Sequence, residues 1–232
     1  MTAADGVSRL ACYRSAPHEG ALTLLHFHGN AEIVADYVPE VARTMNGLGL
    51  NAFFAEYRGY GGSTGAPSLG AMLDDSEVVF RALGVPASRV IAFGRSLGSL
   101  FAVEVASRHR DLAGLVLESA IADPLEPGLA RVSAEDLGVS DQELVAAVRA
   151  RFDQAAKLAS YPGPLLVMHT SGDLLIPPSH AQRNWQSGGA PPGDKELVMF
   201  AQGDHGSIYP VNHAEYIARL GAFVEKVRAR PA

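Results

Sequence analysis

The five residues Gly94-Arg95-Ser96-Leu97-Gly98 are the strongest chemical signal in the sequence. They match the pattern G-x-S-x-G, in which a serine stands on a sharp turn between a strand and a helix. Such a turn exposes the serine hydroxyl at the edge of a sheet, and the dipole of the following helix favours developing negative charge. Glycines are needed because larger side chains would collide with neighbouring backbone. We therefore predict that Ser96 is a nucleophile.

A turn of this composition is also compatible with two different roles. In the first, the segment is a plain glycine-rich turn and Ser96 only caps the following helix. In the second, the turn holds a dinucleotide, but such a site requires the pattern G-x-G-x-x-G, which the sequence lacks. The glycine-rich run 59–65 has a different spacing. We therefore expect no nucleotide and no other cofactor.

A serine hydroxyl needs a base to take its proton, and an acid that orients the base. After a nucleophile on this kind of turn, the acid and then the histidine follow along the chain. His205 lies in a glycine-flanked loop after the apolar run Glu196–Phe200, and we predict that it is the base. Asp173 lies in the turn after the run Pro164–His169, and we predict that it is the acid.

Weaker candidates exist for both roles. His213 and His109 lie at the predicted start and end of helices, and a histidine at a helix end commonly interacts with free carbonyls. Asp204 is adjacent to the predicted base, and neighbours in sequence rarely point at each other. Asp123 follows the preceding strand and is a minor alternative. Asp173 would be only a turn-forming residue if the site were not catalytic.

Acyl transfer also needs two backbone N–H groups aimed at the developing oxyanion. We predict that these are the amides of Leu97 and Asn30, since Gly29 lets the loop approach closely. His26 and His28 lie two residues apart, as metal ligands can, but no third ligand accompanies them at metal spacing. We therefore predict no metal site, and we expect His28 to form structural hydrogen bonds beneath the loop.

The elements that must position these residues follow from hydrophobic patterning. Short apolar runs bounded by turn residues are typical of strands buried on both faces of a parallel sheet. Their alternation with helical patterns predicts an α/β fold, with a mostly parallel central sheet and helices on both faces, as a single domain over 1–232. The predicted strands are Ala21–Phe27, Leu50–Ala55, Val90–Phe93, Leu112–Leu117, Pro164–His169 and Glu196–Phe200, and the predicted helices are Pro67–Leu83, Leu97–His109 and a last helix from about His213.

A long interval, about 121–160, interrupts this alternation. A structureless loop of that length would be unusual in a compact domain. Ser140 and Glu143 have the spacing of a capping box that starts a helix. We predict a small helical lid insertion over one end of the sheet. The apolar side chains expected to roof an acyl pocket are Leu125, Leu129, Val132, Leu137 and Phe152.

Composition excludes several classes of function. The formal net charge is −6 and no long Lys/Arg run occurs, which argues against nucleic-acid binding. No stretch of about 18 apolar residues occurs, so we predict no membrane span. The single cysteine, Cys12, and the absence of a signal-peptide pattern favour a cytoplasmic location. The sequence leaves the oligomeric state open.

Taken in order, these motifs resemble those of the α/β hydrolases, from roughly Leu22 to the last helix. The combination is most similar to the branch that contains membrane-associated protein depalmitoylases and their bacterial relatives. The resemblance implies a serine hydrolase that cleaves ester or thioester bonds of a small-molecule acyl substrate through a Ser-His-Asp triad and an acyl-enzyme. The motifs that carry it are His28-Gly29-Asn30, Tyr57-Arg58-Gly59-Tyr60-Gly61-Gly62-Ser63, Gly94-Arg95-Ser96-Leu97-Gly98, and the loops of Asp173 and His205.

Some features depart from that family or leave rivals. The acid loop reads His169-Thr170 where relatives often have His-Gly, and Cys12 alone does not make the cysteine-rich anchor of the eukaryotic depalmitoylases. The glycine-rich motif is expected to be architectural, with Arg58 bracing its loop. A serine peptidase or an acyltransferase would use the same residues. A non-catalytic binding protein on this fold would normally have lost a triad member.

Overall fold

The computed structural model describes residues 1–126 and 133–230, and seven strands within them form one sheet. The strands are β1 (Tyr13–Ser15), β2 (Thr23–Phe27), β3 (Asn51–Ala55), β4 (Val90–Arg95), β5 (Gly114–Glu118), β6 (Leu165–Thr170) and β7 (Lys195–Phe200). Their order across the sheet is β1-β3-β2-β4-β5-β6-β7. The β1 strand pairs with β3 antiparallel, and each of the other neighbouring pairs is parallel.

Helices cover both faces of this sheet. They are α1 (Glu40–Gly47), α2 (Leu69–Ala82), α3 (Gly98–Arg108), α4 (Asp141–Phe152), α5 (Gln154–Ser160), α6 (Ser179–Ser187), α7 (Ile208–Val211) and α8 (His213–Arg228). One core layer joins the sheet to α1 and α8, and the other joins it to α2, α3, α5 and α6. The predicted α/β fold is therefore confirmed. Within the described residues, no helix combines the length and the apolar composition that crossing a bilayer requires.

The six predicted strands are all present, with ends that differ by one or two residues. Alternation of side chains explains how they divide the core. Leu25 and Phe27 of β2 face the α3 layer, whereas Leu24 and His26 face the layer of α1 and α8. Patterning did not predict the exposed edge strand β1, the helices α1, α6 and α7, or a second helix, α5, in the predicted insertion.

The interval before β6 contains two helices of different kinds. The predicted capping box is present, since the amide of Glu143 donates to Ser140 Oγ at 3.2 Å and the amide of Ser140 donates to Glu143 Oε2 at 2.8 Å. The second helix, α5, packs against α3 and α6 as the crossover helix between β5 and β6. The residues of α5 therefore belong to the helical layer of this face.

The apolar residues expected to roof an acyl pocket are distributed unevenly. Phe152 is the last residue of α4, where the chain turns into α5. Its side chain is buried in the core layer that contains α3. Leu125 is half-buried, and Leu137 is 54% exposed. Leu129 and Val132 lie outside the described residues. The interpretation of the segment as a lid stays a prediction.

Candidate active site

The backbone at Ser96 is held in a conformation that side chains rarely adopt. Its φ angle is +49°, in the left-handed region. The amide of Ser96 donates to the carbonyl of Glu118 at 2.9 Å, and its carbonyl accepts from Ser99 Oγ at 2.6 Å. These bonds fix the turn between β4 and α3, which leaves the Ser96 side chain at the carboxyl end of the sheet.

The two glycines of the motif allow main chains to come close together. A Cβ on Gly94 would lie 2.6 Å from the Cα of Ser99. A Cβ on Gly98 would lie 2.1 Å from the carbonyl oxygen of Phe27 and 2.6 Å from that of His28. The start of α3 therefore lies directly against the end of β2, as the sequence pattern predicts.

The three side chains predicted to do chemistry meet in one chain of hydrogen bonds. Nε2 of His205 lies 2.9 Å from Ser96 Oγ, and Nδ1 lies 2.8 Å from Asp173 Oδ2. With the proton of the neutral imidazole on Nδ1, the ring donates to Asp173 and accepts from the serine hydroxyl. Asp173 is 1% exposed and Ser96 is 8% exposed, so water has little access to either side chain.

The second carboxylate oxygen of Asp173 is also fully engaged. Oδ1 accepts from the amides of Leu175 at 3.0 Å and Ile176 at 2.8 Å. Burial would raise the pKa of the Asp173 carboxyl, but the hydrogen bonds from His205 and Ile176 outweigh it and hold that pKa below its ordinary value. Burial lowers the pKa of the neighbouring His169. The site therefore pairs an ionised acid with His205 at neutral pH.

The rival acids lie in other contacts. Asp204 Oδ1 accepts from the amides of Gly206 and Ser207, both at 3.0 Å, within its own exposed turn. Asp123 Oδ1 accepts from the amide of Leu125 at 2.9 Å. Neither makes the hydrogen bond to His205 that Asp173 makes.

The rival histidines also have other neighbours. His109 lies 2.9 Å from a carboxylate oxygen of Glu77 and stacks on Phe80, with ring centroids 3.9 Å apart. His213 begins α8 as predicted and packs edge-on against Tyr209. The histidine that reaches Ser96 is His205.

The predicted oxyanion donors lie on two neighbouring turns. Leu97 directly follows the serine, and Asn30 is on the turn after β2 that the Gly98 contact brings close. Tyr60 Oη donates to Asn30 Oδ1 at 2.7 Å, and the amide of Gly29 donates to Glu32 Oε2 at 2.6 Å, so both ends of this turn are fixed. Among the residues that the structure describes, neither predicted donor amide has a protein acceptor. Both are available to a ligand oxygen.

His28 is fully occupied by protein contacts. Its Nε2 lies 2.8 Å from Glu56 Oε1, and its Nδ1 lies 2.9 Å from the carbonyl of Gly29. The ring also packs on Tyr57, whose hydroxyl donates to the His28 carbonyl at 2.7 Å. These contacts agree with the expected structural role beneath the loop. In the described ranges, no three His, Cys, Asp or Glu side chains are grouped as metal ligands.

Arg58 braces the glycine-rich loop, as expected. Its guanidinium binds Asp75 through two hydrogen bonds of 2.7 Å, and a third reaches Asp5 at 3.0 Å. The hydrogen bond to Asp75 raises the pKa of Arg58. This brace lies between the loop and α2 and does not involve the Ser96 hydroxyl.

Arg95 is a site residue that sequence reasoning missed. Its Nε donates to Glu32 Oε1 at 2.8 Å and its Nη1 donates to Glu118 Oε1 at 3.0 Å. Nη1 and Nη2 also donate to the backbone carbonyl of His205, at 3.1 Å and 3.2 Å. The motif leaves its second position unspecified, so the pattern itself carried no signal. The pair comes together through the register of the folded sheet, in which Arg95 of β4 lies beside Glu118 of β5.

Comparison with known proteins finds relatives among the α/β hydrolases. Residues 18–135, half of the chain, match the model of the family described as serine aminopeptidase, S33. The Caenorhabditis elegans "alpha/beta hydrolase domain-containing protein aho-3" is 32% identical over 94% of this chain and 62% of its own length. The Escherichia coli K12 "uncharacterized protein YfhR" is 27% identical over 93% of this chain and 75% of its own length.

A solved structure shares the whole fold. The Pyrococcus furiosus esterase Pf2001 superposes with a TM-score of 0.76, covering 97% of this chain and 90% of that chain, at 19% sequence identity. An identity that low shows the fold alone. Together with the family match, the seven-stranded sheet identifies the chain as a hydrolase-fold protein of the α/β-hydrolase superfamily, in the family described as serine aminopeptidase, S33.

Proposed function

We propose that this chain is a serine hydrolase that cleaves carboxylic ester or thioester bonds through an acyl-enzyme. The observation that carries the proposal is the unbroken series of hydrogen bonds from Ser96 Oγ through His205 to Asp173, with separations of 2.9 and 2.8 Å. Such spacing is what proton transfer from a nucleophile to a base requires. The acid that orients the base is ionised and buried.

Acylation begins when Ser96 Oγ attacks the substrate carbonyl and its proton passes to Nε2 of His205. The carbonyl oxygen becomes an oxyanion, to which the amides of Leu97 and Asn30 donate hydrogen bonds. Collapse of this intermediate breaks the bond to the leaving oxygen or sulfur. The imidazolium of His205 then gives its proton to the leaving group, and the acyl group stays on Ser96.

Deacylation repeats the same steps with water. His205 takes a proton from a water molecule, which attacks the acyl carbonyl, and the oxyanion forms again between the two amides. Its collapse releases the carboxylic acid and returns the proton to Ser96. Asp173 stabilises the imidazolium in both halves of the reaction and holds the tautomer that accepts the serine proton.

The turn that carries the proposed acid presents two apolar side chains at the surface. Leu174 and Leu175 follow the acid directly and are 95% and 50% exposed. Exposed leucines beside polar chemistry favour a substrate with a hydrophobic part. We also propose that the part of the predicted insertion of about 121–160 that precedes α5 acts as a lid. We take the substrate to be a small acyl ester or thioester.

Two alternative functions would use the same three side chains, and a third would need no catalysis. A peptidase would act on amides, and an acyltransferase would pass the acyl group to an acceptor other than water. A binding protein would hold an acyl ligand without turning it over. The hydrogen-bonded Ser96 and His205 favour catalysis over binding alone.

The test is hydrolysis of p-nitrophenyl esters with acyl chains from acetyl to palmitoyl, beside matched p-nitroanilides and an S96A control. A chain-length optimum that disappears in S96A supports an esterase and sizes its acyl site. If only the anilides are hydrolysed, the protein is a peptidase and the esterase proposal is wrong. Ester binding without any Ser96-dependent turnover would reject catalysis in favour of the binding protein.

A further inference from the structure

The loop that carries His205 is tied to the nucleophile strand through its main chain. Both terminal nitrogens of Arg95 donate to the carbonyl oxygen of His205, at 3.1 and 3.2 Å. Arg95 is the residue immediately before Ser96, at the end of β4. The nucleophile and the base are therefore connected twice, once through the imidazole and once through this guanidinium.

The guanidinium itself is fixed by two carboxylates, one from each side of β4. Glu32 lies beyond the end of β2, and Glu118 ends β5. Glu32 also accepts from Tyr37 Oη, and Glu118 accepts from Tyr216 Oη. Burial would lower the pKa of Arg95, but the charges of Glu118 and Glu32 outweigh it and raise that pKa. The cation is thus permanent and its geometry is fixed from both sides.

The other hydrogen bonds of the His205 loop give it shape without attaching it to β4. Asp204 binds the amides of Gly206 and Ser207, which are members of the same turn. Asn212 Nδ2 donates to the carbonyl of Gln202 at 3.0 Å, which links the loop to the start of α8. Among the described residues of β4, the side chain of Arg95 is the group that holds the main chain of this loop by hydrogen bonds.

We propose that Arg95 is a positioning residue, which holds the main chain of His205 so that its imidazole stays within reach of Ser96. This inference rests on the proposed hydrolase function. Arg95 shares its side of the sheet with Phe93 and the α1 and α8 layer, and it contacts the His205 loop from that side. Its loss should therefore slow the chemical steps and leave substrate affinity little changed.

The first test compares Arg95→Met and Arg95→Lys with Arg228→Met. Arg228 is the control, because its guanidinium also donates to a carboxylate and to backbone carbonyls, those of Leu48 and Gly49 at 2.8 Å, and it does not contact His205. We expect kcat of Arg95→Met to fall about 10- to 100-fold, the range for a lost charged hydrogen bond. KM should change less than about threefold. Arg95→Lys keeps the charge but lacks the planar pair of donors, so it should recover only part of kcat. Arg228→Met, assayed well below its Tm, should keep kcat.

A second test uses the cavity beside this side chain. Arg95 lines a cavity of about 240 Å³ that also includes the exposed residue Asp36, so the cavity reaches the surface. In Arg95→Ala, added methylguanidinium should enter it and restore part of kcat in a saturable manner. Methylammonium, which lacks the planar donor pair, should restore less. Equal recovery with both ions, or none with either, would argue against a positioning guanidinium.

A third measurement does not depend on turnover. The Nδ1 proton of His205, donated to Asp173, should give a downfield proton NMR resonance in the wild type. This resonance should broaden or disappear in Arg95→Met and persist in Arg228→Met. If the wild type shows this resonance but hydrolyses no ester, the proposed function is rejected. The comparison of variants would still test whether Arg95 positions His205. An unchanged resonance together with unchanged kcat in folded Arg95→Met, or in Arg95→Gln if that variant fails to fold, would overturn the inference.

Discussion

The carbonyl oxygen of Phe27 lies 2.1 Å from the position that a Cβ on Gly98 would occupy. This is a contact between the end of β2 and the first residue of α3, and neither main chain can move without displacing the Ser96 turn. Alanine at position 98 would force that displacement.

Gly98→Ala should therefore destabilise the protein by at least about 1–3 kcal/mol, the usual cost of overpacking. Its ester hydrolysis should fall as well, because Ser96 and the amide of Leu97 move with the turn. Urea unfolding and steady-state kinetics check both. Gly70 of α2 is the control, since a Cβ there meets nothing within 4 Å. Gly70→Ala should leave activity unchanged and raise stability by up to about 1 kcal/mol.

Asp173→Asn should reduce kcat by about 10⁴-fold, because asparagine presents its amide to the imidazole and stabilises the wrong tautomer. Asp204→Asn is the matched control, since Asp204 belongs only to an exposed turn. It should keep kcat within about threefold, a loss below 1 kcal/mol. Near-normal turnover by Asp173→Asn would require another acid, and Asp123 would then be examined first.

Tyr60→Phe should loosen the turn that carries the proposed oxyanion donor Asn30. The hydrogen bond from Tyr60 Oη to Asn30 Oδ1 would be lost, which costs about 0.5–1.5 kcal/mol in a typical case. We expect kcat to fall by at most about tenfold. Tyr13→Phe on the edge strand should have no effect. A larger fall in Tyr13→Phe than in Tyr60→Phe would contradict a role for this turn.

Stability should decline below neutral pH in part because of His26. Burial, followed by the charges of His28 and Arg95, lowers the pKa of His26 well below its ordinary value. In the unfolded chain His26 titrates near pH 6.5. As the pH falls through that value, the unfolded chain gains a proton that the folded chain refuses, so the free energy of unfolding decreases.

His26→Phe should flatten this dependence by up to about 1.4 kcal/mol per pH unit below pH 6.5. Phenylalanine suits the site because the imidazole is already packed among Tyr37, Phe54 and Phe93. Urea titrations between about pH 7 and about pH 5 measure the slope, above the range where Asp173 and Glu32 would gain protons. Exposed His213→Gln serves as the control. An equal slope in wild type and His26→Phe would show that other histidines cause the decline.

The sequence was informative wherever local pattern and function coincide. Ser96 is recognisable because its turn requires glycines, and Asp173 and His205 because each lies in a turn after a strand. Arg95 was not recognisable, since its partner Glu32 lies in a distant loop, Glu118 ends another strand, and its third acceptor is a carbonyl. A sequence pattern reports the side-chain types along one strand or helix. It carries no information about a backbone carbonyl that a different loop brings to the same place.

The helices α1 and α6 were missed for a related reason. Each is short and has few apolar residues to bury, so the sequence offers little apolar content to notice and the helix depends on packing against the sheet. The capping box at Ser140 predicted a helix in the insertion, but periodicity did not show that α4 and α5 are two helices. The second helix is distinguished by its tertiary contacts, because α5 packs against α3 and α6.

That division of α4 from α5 has an evolutionary consequence. Asp153 accepts from the amide of Ala156 at 2.9 Å, so the crossover helix carries its own start signal at its first turn. Changes within α4 before Phe152 would therefore leave the start of α5 intact, and with it the packing of that helix on α3 and α6. Under the proposed function, such changes give one scaffold a route to a different choice of acyl group while the Ser96 turn stays as it is.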